Sequence, residues 1–265
     1  MRPVGCLKIW RMLSPFIGRE LREQYAGSAL GVVWSLLQPA LYILLYWWVF
    51  AAIMHARLPE NSVLADTPFI AFLLSALLPW FAFQDGLSRA ASAVLNRRDV
   101  VCKVHFPVEV FPLAAAIAAF VAHGFGYVLF LVTFALWRGG IPLTALGAIA
   151  VLLALQLALT AGLGLLLGAV TVYLRDVAQA LGLGLAVMFY TAPVLYPLSL
   201  VPERFHGLVQ CNPFAVFAEA YHDAVLLGVW PAPTILALLV LLAGSALAAG
   251  AYVFRRLEPG FVDVL

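Results

Sequence analysis

The sequence predicts an all-α membrane protein with six transmembrane helices, and its composition and hydropathy pattern carry that prediction. Hydrophobic residues make up 65% of the 265 residues and charged residues only 11%, whereas soluble domains carry about 25% charged residues. Six apolar runs approach or exceed the ~20 residues that a helix needs to cross a bilayer. A soluble fold of this length has too little interior for so much apolar surface, so lipid must solvate much of it.

The predicted spans form a single transmembrane domain over residues 1–265. Pro79 lies inside the second span and His123 inside the third, and the third and fourth are separated by a tight turn at Gly139 and Gly140. The spans cover residues 31–54, 67–91, 108–137, 141–172, 177–197 and 231–254.

The placement of Lys and Arg predicts that both termini lie in the cytoplasm. Six spans put both termini on the same side of the membrane. Of the 15 Lys and Arg residues, only Arg57, Arg138 and Arg204 fall on the opposite side. Cytoplasmic segments carry the excess of positive charge in multi-pass proteins, so the terminal side is the cytoplasmic one.

Residues 7–26 predict an amphipathic helix on the cytoplasmic membrane surface. Leu13, Phe16 and Ile17 fall on one helical face, and Arg19 and Arg22 supply positive charge towards anionic headgroups. A frayed cytosolic tail is the alternative, because a proline interrupts the middle of the segment.

Residues 96–106 connect the second and third spans with a short, charged segment. The segment contains Arg97, Arg98, Asp99 and Lys103. A short helix here would suit docking to a soluble partner. The alternative is a loop whose charge only reflects its cytoplasmic position.

Residues 198–228 predict a helical hairpin on the outer side. Asn212 is a good N-cap, Pro213 suits the first helical position, and Gly228 suits the helix end. The second arm of the hairpin begins at Pro213 and ends near Gly228. At ~1.5 Å per residue it is ~22 Å long, which is too short, and it is too charged, to span the membrane. A re-entrant or interfacial hairpin fits better, because protein can then satisfy its backbone.

Polar and aromatic stripes inside the spans are the candidate substrate contacts. Trp34, Gln38, Tyr42 and Tyr46 recur every four residues in the first span, so they share one slowly drifting face. Gln156 in the fourth span and Tyr190 in the fifth belong to similar stripes. Such stripes line a path or mediate helix contacts. For the glycine pair Gly164 and Gly168, close helix packing is the favoured interpretation.

Catalytic and metal-binding chemistry is disfavoured by what the sequence lacks. It contains no phosphate-binding G-x-x-x-x-G-K-[ST] loop and no hydrolase or metalloprotease motif. His123, deep in the third span, is interpreted as a packing residue rather than a proton relay. We therefore expect no enzyme activity, no metal and no cofactor bound by this chain.

Three motifs resemble the membrane subunit of bacterial polysaccharide ABC exporters, of the O-antigen and teichoic-acid type. The first is REQYAGSALGVVWSLLQPAL at 22–41, which includes Tyr25. The second is VYLRDVAQAL at 172–181, and the third is the proline-rich stretch at 191–226. The resemblance runs nearly end to end, with the motifs in the family's order.

The resemblance implies a homodimer in the bacterial inner membrane, bound to two copies of a separate ATPase that uses ATP with Mg²⁺. The dimer would enclose a channel for a lipid-linked glycan. The segment at 96–106 becomes a coupling helix that rests on the ATPase, and the hairpin becomes an outer gate. The expected coupling residues are Arg97, Arg98, Asp99, Lys103, Arg175 and Asp176, and the expected gate residues are Pro193, Tyr196, Pro197, Asn212 and Pro213.

Other functions remain open from the sequence. An exporter of teichoic acid, of capsular polysaccharide or of a smaller substrate would share the same spans. A membrane-embedded glycosyl- or acyltransferase would need an acid, base or metal cluster at the membrane surface, and the sequence shows none.

Overall fold

A computed structural model describes residues 6–24, 27–28, 30–60, 63–102 and 107–265. Throughout these residues the chain is helical or forms short connections, and they contain no strand. The all-α prediction is therefore confirmed.

The helices follow the apolar runs of the sequence, with short helices between the long ones. Two π-helical segments, Trp47–Ile53 and Asp223–Leu227, continue α2 and α9. The α-helices of the described residues are α1 Cys6–Gln24, α2 Trp34–Tyr46, α3 Phe69–Asn96, α4 Arg98–Val101, α5 Val110–Arg138, α6 Leu143–Tyr173, α7 Asp176–Thr191, α8 His206–Gln210, α9 Pro213–His222, α10 Pro233–Leu257 and α11 Phe261–Val264.

Four helical segments of the described chain are long and apolar enough to cross a membrane: α3, α5, α6 and the segment from α10 to Val264. The first and fifth predicted spans are shorter, with apolar helical segments at Leu37–Ile53 and Asp176–Thr191. The helix α7 ends where Ala192 turns to an extended conformation before Pro193, because a residue preceding proline disfavours helix. The number of complete spans stays a prediction for these two.

The helix α3 is the central element, and its sides are covered by α5, α6 and α9. Small residues allow the close approach of α6. A Cβ built on Gly164 would lie 2.7 Å from the Cβ of Ala90, and one on Gly168 would lie 2.9 Å from the carbonyl oxygen of Ala90. Gly164 and Gly168 thus pack against α3, which confirms the packing interpretation of this pair.

Glycine and proline also set two further helix contacts. A Cβ on Gly250 of α10 would overlap the carbonyl group of Gly162 on α6. A Cβ on Gly126 of α5 would overlap the ring of Pro39 on α2. Neither Gly250 nor Gly126 can therefore be enlarged without moving a helix.

The two described ends of the chain meet at one end of the helix bundle, named here the terminal end. Phe16 of α1 packs edge-on against Phe111 of α5 with ring centroids 5.3 Å apart, and Phe261 of α11 packs similarly on Phe254 at 5.4 Å. One apolar cluster contains Phe111, Phe254 and Phe261. The helix α1 is continuous through Pro15, so its predicted interruption does not occur.

The opposite end of the bundle, named here the hairpin end, holds α8 and α9. Phe214 at the start of α9 packs on Trp80 and Phe83 of α3, with ring centroids 4.7 and 5.5 Å away. Trp80 lies about 16 Å along α3 from its first residue. His222, at the end of α9, stacks on Phe72 near the start of α3. The helix α9 therefore begins deep in the bundle and runs outward beside α3.

Candidate functional site

The outward face of α2 carries a groove built from the predicted aromatic stripe. Trp34, Gln38 and Tyr42 line it together with Leu41, Leu44, Leu45 and Trp48, and its volume is about 510 Å³. None of the lining residues is charged. A groove with aromatic rings and one amide suits an uncharged, hydroxyl-bearing ligand better than an ion.

Two further predicted path residues, Tyr46 and Tyr190, lie outside the lining of this groove. Tyr46 stacks on Phe50 with ring centroids 6.2 Å apart. The side chain of Tyr190 is 66% exposed, and its carbonyl oxygen accepts a 2.7 Å hydrogen bond from the Tyr196 hydroxyl. Of the predicted path residues, three thus line the groove, while Tyr190 lies on the exposed surface of α7.

Gln156, the sixth predicted path residue, lies elsewhere. It is 0% exposed within the subunit. Its Nε2 donates to the carbonyl oxygen of Pro79 at 2.7 Å, and its Oε1 accepts from the Tyr221 hydroxyl at 2.6 Å. Gln156 thus connects α6 to α3 and α9 and does not face the groove.

Behind α2 lies an ionisable cluster that was not predicted from the sequence. Asp85 accepts a 2.8 Å hydrogen bond from Nε of Arg89, and its other oxygen lies 3.3 Å from Nε2 of His123. A cavity of about 30 Å³ places His123 beside Gln38 and Tyr42. The four-residue spacing of Asp85 and Arg89 was a usable signal, but nothing in the sequence pairs either of them with His123.

A polar cavity of about 350 Å³ opens between α1 and α3 at the terminal end. Its lining includes Gln24, Arg89, Ser92 and Asn96 as well as the ion pair described next. Gln24 also borders the small cavity beside His123. Polar surface therefore leads from the terminal end towards the α2 groove.

Arg97, one of the predicted coupling residues, binds α1 within the subunit. Its guanidinium donates to Glu20 at 2.8 Å and forms further hydrogen bonds with Glu23. The Arg97 side chain is only 13% exposed. Hydrogen bonds from Arg97 and then Arg19 hold the pKa of Glu23 below its ordinary value of 4.5.

Four of the remaining predicted coupling residues lie at the terminal end. Arg98 and Asp99 are exposed on α4, and Arg175 and Asp176 are exposed where α6 turns into α7. Lys103, like Tyr25 of the first motif, lies outside the described residues. Arg98, Asp99, Arg175 and Asp176 remain accessible for a partner, whereas Arg97 is engaged within the subunit.

The predicted gate residues lie on the segment between α7 and α9 and at the start of α9, and Asn212 joins α9 to the end of α7. Its Oδ1 accepts from the backbone N–H of Phe214, which caps α9 as predicted. Its Nδ2 donates to the carbonyl of Met188 at 2.7 Å and to the Thr191 hydroxyl at 2.9 Å, which binds α9 to the end of α7. Pro213 occupies the first turn, Gly228 ends the hairpin with a φ of 74°, and Pro193, Tyr196 and Pro197 form the turn after α7.

No group of three or more His, Cys, Asp or Glu residues with metal-binding geometry occurs in the part of the chain that the structure describes. The buried ring of His222 lies against Phe72 at 3.9 Å, so it does not join Asp223 in an open site. The geometry thus offers binding surfaces of mostly neutral groups and two clusters of paired charges, around Asp85 and around Arg97.

Comparison with known proteins gives a consistent result. A family model described as ABC-2 type transporter matches residues 15–226. The chain is 25% identical to the O-antigen export system permease protein RfbA of Klebsiella pneumoniae, over 97% of this chain and 96% of that protein. It is 32% identical to RfbA of Myxococcus xanthus, over 79% and 78% respectively. It is 25% identical to the polysialic acid transport protein KpsM of Escherichia coli, over 79% of each.

Proposed function

The chain belongs to the ABC-2 type transporter family, and from that premise we propose that it is the transmembrane subunit of a polysaccharide exporter. Its cargo is a lipid-linked glycan of the O-antigen kind, moved from the cytoplasmic side across the bacterial inner membrane. The names of relatives that match 79% to 97% of the chain support this cargo.

The observation that carries the proposal is the uncharged aromatic groove on α2. A polymer that slides must be held weakly at each step, and a charged site would hold it too tightly. The rings of Trp34 and Tyr42 offer flat apolar faces for sugar rings, and Gln38 offers a hydrogen-bonding amide. These groups suit successive sugars of a neutral chain.

A second copy of the subunit would close this groove into a channel. The helix α7 buries only Leu185 within the subunit, and Gln179 and Tyr190 are exposed on it. Polar groups such as Gln38 and Gln179 are poorly placed against lipid. A homodimer that covers α2 and α7 would give these groups a polar lumen.

Energy comes from a partner ATPase, as membership of this transporter family implies. The chain has no phosphate-binding loop, so ATP and Mg²⁺ would bind in the partner. Arg98 and Asp99 on α4, together with Arg175 and Asp176, offer exposed charges at the terminal end. Two ATPase copies would dock there on the cytoplasmic side, which places both termini of the chain in the cytoplasm.

Export by a groove variant tests the proposal. We expect Tyr42→Ala to lower the amount of glycan at the cell surface several-fold, while the subunit and its ATPase still co-purify. Tyr252→Ala is the matched control, because Tyr252 is 72% exposed on α10, away from the groove. Equal export by both variants would remove Tyr42 from the path.

A capsular polysaccharide is the second candidate cargo, favoured by the similarity to the polysialic acid transport protein. Chemical analysis of the glycan that accumulates inside cells lacking the subunit would separate the two. Teichoic acid or a smaller substrate would be identified in the same way. A glycosyl- or acyltransferase would instead show transfer by purified protein without any ATPase, which His222→Ala with Asp223→Ala would abolish.

A further inference from the structure

Pro79 interrupts the hydrogen bonding of the central helix α3. Proline has no backbone N–H, so the carbonyl of Ser75, four residues earlier, loses its usual helical partner. The hydroxyl of Tyr127 on α5 reaches this carbonyl at 3.5 Å. The break is buried, with Ser75 fully inaccessible and Pro79 enclosed.

Gln156 connects this break to α9. Its amide group donates to the Pro79 carbonyl at 2.7 Å and accepts from the Tyr221 hydroxyl at 2.6 Å. Both Gln156 and Tyr221 are 0% exposed. These two hydrogen bonds, named here the Gln156 bridge, join three helices in sequence: α3, α6 and α9.

The helix α9 has further contacts on both sides of the bridge. Tyr221 packs edge-on against Tyr127 at 6.0 Å, and His222 stacks on Phe72 at 3.9 Å. At its other end, Asn212 binds the end of α7. Movement of α9 therefore reaches both the break in α3 and the exposed surface of α7.

We propose that Gln156 and Tyr221 are positioning residues for transport, because the Gln156 bridge ties α9 to α3 at its proline break. Bending of α3 at Pro79 would shift the Pro79 carbonyl, and the bridge carries that shift to α9. This inference rests on the proposed transport function, in which α3 leads to the exposed charges Arg98 and Asp99 on the ATPase side. The groove on α2 plays no part in it.

The bridge could stabilise the fold alone, or it could also transmit movement from α3 to α9. These two roles predict different behaviour for variants of Gln156 and Tyr221. Removing one partner leaves a buried polar group unsatisfied, which destabilises the fold. Replacing both partners with apolar groups of similar shape removes that penalty. Stability and transport can therefore be separated by comparing single and double variants.

The experiment uses the full transporter with its ATPase, as Tyr221→Phe, Gln156→Leu and the double variant. We expect both single variants to lower the Tm and the double variant to recover most of that loss. Export per folded transporter in the double variant should stay at least fivefold below wild type, while ATP hydrolysis continues. If the double variant recovers export as well as Tm, the proposal is overturned and Gln156 and Tyr221 have only a packing role.

Hydrogen exchange supplies a readout that does not depend on the cargo. On addition of ATP, the peptides that cover α9 and residues 69–79 should change their exchange together in wild type. In the double variant only residues 69–79 should respond. A response of α9 equal to that of wild type would overturn the proposal, even where the cargo proves to be different.

If the double variant does not accumulate, Tyr221→Phe decides alone, since it removes a single hydroxyl; unchanged export per folded transporter would then overturn the proposal. If wild type moves no glycan while α9 still follows ATP through the bridge, the proposed cargo fails and the bridge stands.

Discussion

The two ends of α3 are held in chemically opposite ways. In the half of α3 nearer the hairpin end, neutral groups form the contacts. Gln156 and Tyr221 bridge the break at Pro79, and neither side chain is charged. At the terminal end, Arg97 directly after α3 forms ion pairs with Glu20 and Glu23 of α1.

The difference follows from what surrounds each end. An unpaired charge in an apolar interior costs several kcal/mol or more, so deep contacts use neutral hydrogen bonds. Ion pairs near water cost little to form but contribute only about 0–1 kcal/mol each. Between the two ends, the cluster of Asp85, Arg89 and His123 is half-buried and places a carboxylate between two basic groups. We therefore expect the Gln156 bridge to resist changes of salt, and the ion pairs at the terminal end to respond to both salt and pH.

The largest effect is expected from Asn212→Ala at the hairpin end. The change removes the cap of α9 and both hydrogen bonds to α7, a loss of about 2–3 kcal/mol. The Tm of the purified subunit should fall by several degrees, equally in low and high salt. Asn96→Ala, at the exposed end of α3, is the control and should change the Tm little. A fall in Tm that depends on salt for Asn212→Ala would contradict the view that neutral contacts hold the hairpin end.

Arg97→Gln should have a smaller effect, at the terminal end. It removes the ion pairs to both glutamates, worth about 1–2 kcal/mol for this partly buried group. Hydrogen exchange in α1 should rise, and high salt should raise exchange in wild type in the same direction. Arg98→Gln, one residue along and exposed, should leave α1 unchanged. If α1 is equally protected in all three proteins, the ion pairs do not hold it.

Acid should loosen the same contact. The pKa of Glu23 is lowered in the folded state, chiefly by the hydrogen bond from Arg97. Its stabilising contribution is therefore complete above the ordinary pKa of 4.5 and is lost as the pH falls through the lower folded value. Exchange in α1 should rise below about pH 4.5. Unchanged exchange in α1 across this pH range would contradict the prediction.

The smallest effect is expected from Arg19→Gln. Arg19 pairs with Glu23 four residues later, and both side chains are largely exposed. Such pairs contribute about 0.3–0.5 kcal/mol. The Tm should stay within about a degree of wild type. A loss of stability as large as the about 1–2 kcal/mol expected for Arg97→Gln would mean that Glu23 is held mainly by contacts within α1.

Local chemistry made part of this structure predictable. Asn212, Pro213 and Gly228 mark the start and end of the hairpin helix, because caps and left-handed turns depend on residues close in the chain. The glycine pair of α6 predicted close packing for the same kind of reason, since small residues allow helices to approach.

Long-range pairing could not be predicted in the same way. Gln156 looked like a path residue, but Tyr221, its partner 65 residues away, holds it inside the bundle. Arg97, predicted to contact another protein, also forms an ion pair within the subunit with Glu20, 77 residues away. In both cases the residue type indicated a polar contact but did not identify the partner. Tertiary packing decides which of several possible partners the side chain meets.

The contact of the Pro39 ring with Gly126 determines how the helix that carries the groove is held. A ring resting on a glycine is a contact without a directional bond, so it depends on packing alone. The helix that carries Trp34 and Tyr42 is therefore held on α5 at this point by shape and not by a hydrogen bond. A methyl group added at Gly126 would displace the groove itself, although Gly126 lies outside its lining.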